Sequence, residues 1–120
     1  MEIPYSFLED SALVLERLGG NEALFGALIV KFGESYADSL ATLGECVAKG
    51  QTEEAYRIVH SIKGVAGNLG IGALYRSSIS LEARMKAGEY RLDSSEASGF
   101  ASELGSVLAE ITQKKGGNQA

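Results

Sequence analysis

A chain of 120 residues holds one domain with one core, and is too short for a catalytic domain plus a regulatory one. Its 45% hydrophobic and 22% charged residues are ordinary for a folded soluble protein. The net charge of −5 argues against non-specific binding to nucleic acid or to an anionic membrane, since both reward a basic surface. One cysteine, Cys46, cannot close an internal disulfide and falls on an apolar stripe. It reads as a buried reduced thiol in a reducing compartment. The start, Met-Glu-Ile-Pro, has no basic segment ahead of an apolar one, so no signal peptide is expected. The longest apolar run, Ala23 to Val30, is far short of a membrane span, and a cytoplasmic location without membrane insertion is expected.

In chain order, helical spacing dominates, strand-like alternation is absent and Pro4 is the only proline. The pattern predicts an all-α fold, an antiparallel up-down four-helix bundle with a short additional N-terminal helix. That short helix is expected over about 7–18, opened by a capping box at Ser6-x-x-Glu9 and stopped by Gly19-Gly20. It would lie as a lid across one end of the bundle. The second helix is expected over 22–49, with Asn21 as cap and Phe25, Ile29, Phe32, Tyr36, Leu40, Leu43 and Val47 as its seam. A third helix is expected over 52–69, with Glu53 and Glu54 favourable in its first turn. The fourth, over 71–87, turns Ile71, Leu74, Ser78, Leu81 and Met85 inward and leaves Tyr75 and Ile79 as candidates to face an adjoining helix. Asp93-x-x-Glu96 suggests a capping box for the fifth, over 94–113, whose stripe runs from Ala97 to Ile111. Residues 114–120 are expected to be a disordered tail.

The third helix carries the only histidine. Ala55, Ile58, Val59, Ile62, Val65, Ala66 and Leu69 fall on one face at about 100° per residue, and His60 projects roughly 160° from the centre of that face. It points to water, with Lys63, Gly64 and Gly67 following on the same side. An exposed glycine inside a helix costs about 1 kcal/mol relative to alanine, so two of them are not there for helix propensity. Without a Cβ they leave bare backbone beside the imidazole, where another protein surface can approach.

His60-Ser61-Ile62-Lys63-Gly64, followed by Ala66, Gly67, Asn68, Leu69 and Gly70, resembles the signature of histidine phosphotransfer (HPt) domains. The family pattern is His-x-(Leu/Ile)-Lys-Gly, then small residues and a Leu-Gly pair. The run from Arg17 to Phe25 and the Leu81-Glu82 pair are similar to residues of the HPt modules of hybrid sensor kinases, so the likeness covers roughly residues 8–112. Val59 departs from the alanine more usual there, a change expected to alter packing beneath the helix and leave the chemistry intact.

The resemblance implies a phosphorelay intermediate. His60 would accept a phosphoryl group from the aspartyl phosphate of a response regulator receiver domain and pass it to another. The chain would bring no cofactor of its own, the Mg²⁺ coming with the receiver. An imidazole is a good nucleophile near neutral pH, and a lysine one turn away can neutralise the phosphoryl oxygens. Tyr56, Arg57, Gly64, Gly67 and Asn68 are candidates for the receiver interface. The inventory excludes other chemistries: there is no metal-ligand spacing, no phosphate-binding nucleotide loop and no autokinase motif, and Ser61 points about 100° away from His60. A non-catalytic helical adaptor docking through the glycine-lined face is the alternative reading. A dimerising bundle of helix hairpins is a third, but four long helices in one chain favour a monomer.

Overall fold

The apolar spacing is realised as helices whose ends are set where the pattern breaks. The computed structural model describes residues 5–117. It contains α1 (Ser11–Arg17), α2 (Glu22–Tyr36), α3 (Ser39–Ala48), α4 (Thr52–Leu69), α5 (Gly72–Lys86) and α6 (Ser95–Gly117), with no strand among the described residues. An all-helical bundle is therefore what the sequence folds into. α5 packs on α4 and on α6, α2 packs on α6 and on α4, and α3 packs on α4.

The core is the set of stripes read from the sequence. Phe25, Ile29 and Phe32 of α2 meet Val59, Ile62 and Ala66 of α4, Leu74, Leu81 and Met85 of α5, and Phe100, Leu104 and Val107 of α6 in one buried cluster. Burying each of the larger of these side chains is worth about 1.5–3 kcal/mol, enough to hold helices whose own propensity is modest. Cys46 is buried and unpaired. Gly33 permits the close crossing of α2 and α6, since a Cβ there would lie 2.9 Å from Ile111 Cγ2. Asn21 caps α2 as expected, its Oδ1 accepting from Leu24 N–H at 2.9 Å.

Four local expectations change. The helix expected over 22–49 is two, parted at Ala37 and Asp38. Asp38 leaves the helical region at φ −103°, ψ 8°, and its carbonyl accepts from Thr42 N–H at the start of α3. Aspartate is among the weaker helix formers, and the Asp38 side chain makes no cap hydrogen bond at this break inside a continuous apolar seam. The first helix begins only at Ser11, because the Ser6-x-x-Glu9 pair does not cap it. Ser6 N–H and Oγ both donate to Glu110 of α6, and Glu9 accepts two bonds from Arg76 of α5. At the start of α6 the cap is Ser94, whose Oγ accepts from Ala97 N–H, while Asp93 pairs with Arg91. Finally, α6 extends to Gly117, past the expected end at 113. Thr112, Gln113 and Lys114 continue it without a breaker, and a cation near a helix C-terminus complements the dipole. The rest of the expected tail, 118–120, lies outside the described residues, as do residues 1–4.

The segment before α1 is tied down along its length. Glu9 N–H donates to Gly70 C=O at 2.7 Å, Leu8 bridges Ile71, and Arg17 reaches the carbonyl of Asn68. These contacts place α1 beside the α4–α5 turn.

Candidate functional site

Gly70 ends α4 in the left-handed conformation at φ 75°, and Ile71 N–H returns to Ala66 C=O. This tight turn sends α5 back along α4. Gly67 then meets Tyr75, and a turn or two further on His60 and Lys63 meet Glu82. The site is thus assembled by the register of two helices across one glycine.

His60 has its side chain 57% exposed, outward as its place on the helical wheel requires. Its Nδ1 lies 2.6 Å from Glu82 Oε2, and Lys63 Nζ donates to Glu82 Oε1 at 2.7 Å. The Lys86 ammonium stands 3.5 Å from the same Oε1. Glu82 is only 4% exposed, and burial alone would raise its pKa. The hydrogen bonds from Lys63 and His60 and the charges of Lys63 and Lys86 outweigh that and hold it at about 2. Glu82 is therefore a carboxylate at neutral pH and can only accept hydrogen bonds. His60 Nδ1 must carry the proton, so the lone pair of the neutral ring is on Nε2. Tyr56, one turn before, stacks on the imidazole with ring centroids 5.7 Å apart and planes at 15°.

The predicted residues do not all stand alike. His60 and Lys63 come together on Glu82, with Tyr56 stacked against the His60 ring. Lys63 departs from the expectation of an exposed side chain: it is 24% exposed and ion-paired, because Glu82 on the facing helix draws its ammonium inward. The two glycines divide. A Cβ at Gly64 would meet nothing within 4 Å, so the backbone there is open. At Gly67 it would fall 2.9 Å from Tyr75 Cε1, so the expected bare strip is covered at that point by an aromatic ring. Arg57 is exposed and lies 3.9 Å from Glu54 on its own helix, and the exposed Asn68 gives its carbonyl to Arg17.

Two open depressions flank His60. One, of about 540 Å³, runs between α1, α4 and α5 and is lined by Leu13, Lys63, Gly64, Gly67 and Tyr75 among others. The other, of about 530 Å³, lies between the first turns of α4 and the end of α5, with Tyr56, Arg57, His60, Lys86 and Tyr90 in its wall.

Glu82 is the residue that sequence reasoning missed as part of the site. Its signal was present: a carboxylate on the inward side of α5, directly after Leu81 and one turn from Ser78 and Met85. A charge placed among buried positions needs a partner, and a buried acid marks a functional candidate.

Among the described residues no three of His, Cys, Asp and Glu are grouped as metal ligands, and no helix is long and apolar enough to cross a membrane. Comparison with curated proteins and with solved structures gives no match. A family model described as "Hpt domain" matches residues 27–113, which takes in α3, α4, α5 and most of α2 and α6. Hpt domains act in histidine phosphotransfer within phosphorelay signalling and interact with response regulator receiver domains. An outward imidazole backed by a buried carboxylate and a lysine, on a helical bundle matched over most of its length, places this chain in the Hpt domain family.

Proposed function

We propose that His60 is the phosphoacceptor of this domain, and that it takes a phosphoryl group from the aspartyl phosphate of one receiver domain and gives it to the aspartate of another. The observation that carries this reading is the hydrogen bond from His60 Nδ1 to Glu82, which leaves the nucleophilic lone pair on the exposed ring's Nε2. In the forward step the Nε2 lone pair attacks phosphorus, and an N–P bond forms as the P–O bond to the aspartyl carboxyl breaks. The receiver's carboxylate leaves with the electron pair. The ring, now bonded at both nitrogens, carries positive charge that the Glu82 carboxylate balances through Nδ1–H. The reverse sequence of bonds returns the group to a second receiver.

Lys63 neutralises charge on the transferring phosphoryl oxygens, moving its ammonium from Glu82 toward them, a displacement a four-carbon stem allows. Gly64 lets the receiver surface come against the helix, with Gly67, Asn68, Tyr56 and Arg57 at the margins of the contact. The chain brings no cofactor to this chemistry, and Mg²⁺ belongs to the receiver. The same reading takes α2–α3, α4, α5 and α6 as the arms of an antiparallel four-helix bundle acting as a cytoplasmic monomer. The return of α5 along α4 and the packing of α2 against both α4 and α6 support that arrangement.

The test is transfer from receiver domains charged with radiolabelled phosphoryl groups. The parent chain should acquire acid-labile label and the His60→Gln variant none, with the helical content of the two unchanged. Equal labelling of the variant would remove His60 from the role. A parent that binds a receiver yet never acquires label would favour docking without chemistry.

A further inference from the structure

Glu82 takes one edge of the His60 ring, and a second contact covers one of its faces. Tyr56 stands one turn earlier on α4, and helical side chains lean toward the N-terminus, so the imidazole lies back over the phenol ring. The centroids are 5.7 Å apart and the planes meet at 15°, an offset stack. The lone pair on Nε2 and the proton on Nδ1 both lie in the plane of the imidazole, so a ring stacked on its face obstructs neither. Tyr56 is itself fixed. It is partly buried and packs against the core cluster. Its hydroxyl meets Lys86 of α5, whose ammonium also stands 3.5 Å from Glu82 Oε1. The Tyr56 oxygen first, and Glu82 after it, hold that ammonium above its ordinary pKa, so it stays charged. Contacts thus run in a closed circuit from His60 to Tyr56, to Lys86, to Glu82 and back to His60.

We propose that Tyr56 is a positioning residue for the transfer, an electron-rich platform that favours the phosphorylated state of His60 over the free one. This rests on the phosphotransfer reading above. Formation of the N–P bond at Nε2 leaves a ring bonded at both nitrogens and positively charged, a charge the free neutral ring does not carry. A cation within about 6 Å of an aromatic centroid is attracted to the face of that ring. The attraction is therefore gained when the phosphoryl group arrives and lost when it leaves, so it separates two states and is not a uniform contact. Glu82 and Tyr56 divide the work. The carboxylate balances the charge in the plane of the imidazole, through Nδ1–H, and the phenol ring balances it across the face. The consequence is thermodynamic: with Tyr56 in place the domain holds a larger share of the phosphoryl group at equilibrium with a receiver. A residue that only touches the receiver acts differently. It stabilises the complex, changes the forward and return rates together and leaves the ratio of the free species untouched.

The experiment measures how a radiolabelled phosphoryl group distributes between the whole chain and a receiver domain chosen for slow hydrolysis of its own aspartyl phosphate. The parent is compared with Tyr56→Phe, which keeps the ring, and with Tyr56→Leu and Tyr56→Met, which replace it by apolar bulk. Circular dichroism checks that each folds, and two variants without the ring guard against the failure of one. The equilibrium constant for the free species should fall about two- to fivefold in the leucine and methionine variants, chiefly through a faster return to the receiver. Tyr56→Phe should restore the parent value. Proton NMR of the single histidine supplies a second reading. The stacked ring shifts the imidazole protons upfield in the parent and in Tyr56→Phe, and the shift should vanish in the other two. The proposal is overturned if the variants without the ring keep the parent equilibrium, if their forward and return rates change by one factor, if Tyr56→Phe falls as far as they do, or if the imidazole protons of all four chains resonate alike. A parent that takes no label from any receiver refutes the phosphotransfer reading itself, and the role of Tyr56 falls with it, whereas labelling of His60 with an unchanged equilibrium refutes the role of Tyr56 alone.

Discussion

Replacing Glu82 by glutamine removes the one buried charge of the site while keeping its shape. The parent carboxyl titrates at about 2 in the folded chain against an ordinary 4.5. Between those values the unfolded chain binds a proton that the folded chain refuses. The stabilisation is therefore complete above about pH 5 and is lost as pH falls toward 2. A difference of 2.5 between 4.5 and 2, at about 1.4 kcal/mol per pKa unit, gives about 3 kcal/mol at pH 7. The same relation leaves about 1 kcal/mol at pH 3 and a few tenths at pH 2. The other acids with lowered pKa, Glu9, Asp93 and Glu96, are present in both chains and cancel in the comparison. Urea unfolding followed by circular dichroism, at a series of pH values from 7 to 2, yields the stability of each chain. The parent should exceed Glu82→Gln by up to about 3 kcal/mol at pH 7, reduced by whatever hydrogen bonds glutamine keeps, and the two curves should converge below pH 3. Curves that stay parallel to pH 2 would refute the claim that Glu82 is a strongly held carboxylate.

Lys63→Ala takes one of two cations from that buried carboxylate. We expect a loss of about 1–2 kcal/mol in urea unfolding together with slower transfer from a charged receiver, and no change in either would detach Lys63 from the site. Gly64→Ala should raise stability by up to about 1 kcal/mol, since its Cβ meets nothing, yet slow transfer by obstructing the receiver. Thermal unfolding and transfer rate moving in the same direction would contradict this. Gly70→Ala should be destabilising by more than about 1 kcal/mol, because φ is 75° and its Cβ would lie 2.5 Å from Glu9 O. Arg76→Ala breaks only an exposed ion pair and should leave the midpoint of urea unfolding close to that of the parent.

Much of this fold could be read from apolar spacing. The stripe that buries Ala55, Val59, Ile62, Ala66 and Leu69 also dictates that His60 faces out, and both follow from one helical period. What spacing does not contain is the partner of a polar side chain. Ser6-x-x-Glu9 has the pattern of a capping box, but the two side chains bond Glu110 and Arg76 instead, both more than 60 residues away. Gly64 and Gly67 are equivalent in local sequence, and only the arrival of Tyr75 from α5 separates an open position from a packed one. Glu82 joins the site by the same route, through the register set at Gly70, so its role as the acceptor for Nδ1 was not legible in either helix alone. The break at Asp38 lies within an apolar seam that continues past it, and no side-chain hydrogen bond of Asp38 accounts for it.

The phosphotransfer chemistry depends most on which nitrogen of His60 is free. Nitrogen NMR of the histidine ring, in a chain that has only one histidine, reads this directly before and after transfer from a charged receiver. The uncharged domain should show its neutral ring protonated at Nδ1, and the charged domain should show phosphorus coupled to Nε2 with Nδ1 still facing Glu82. A neutral ring protonated at Nε2, or phosphorus on Nδ1, would contradict it.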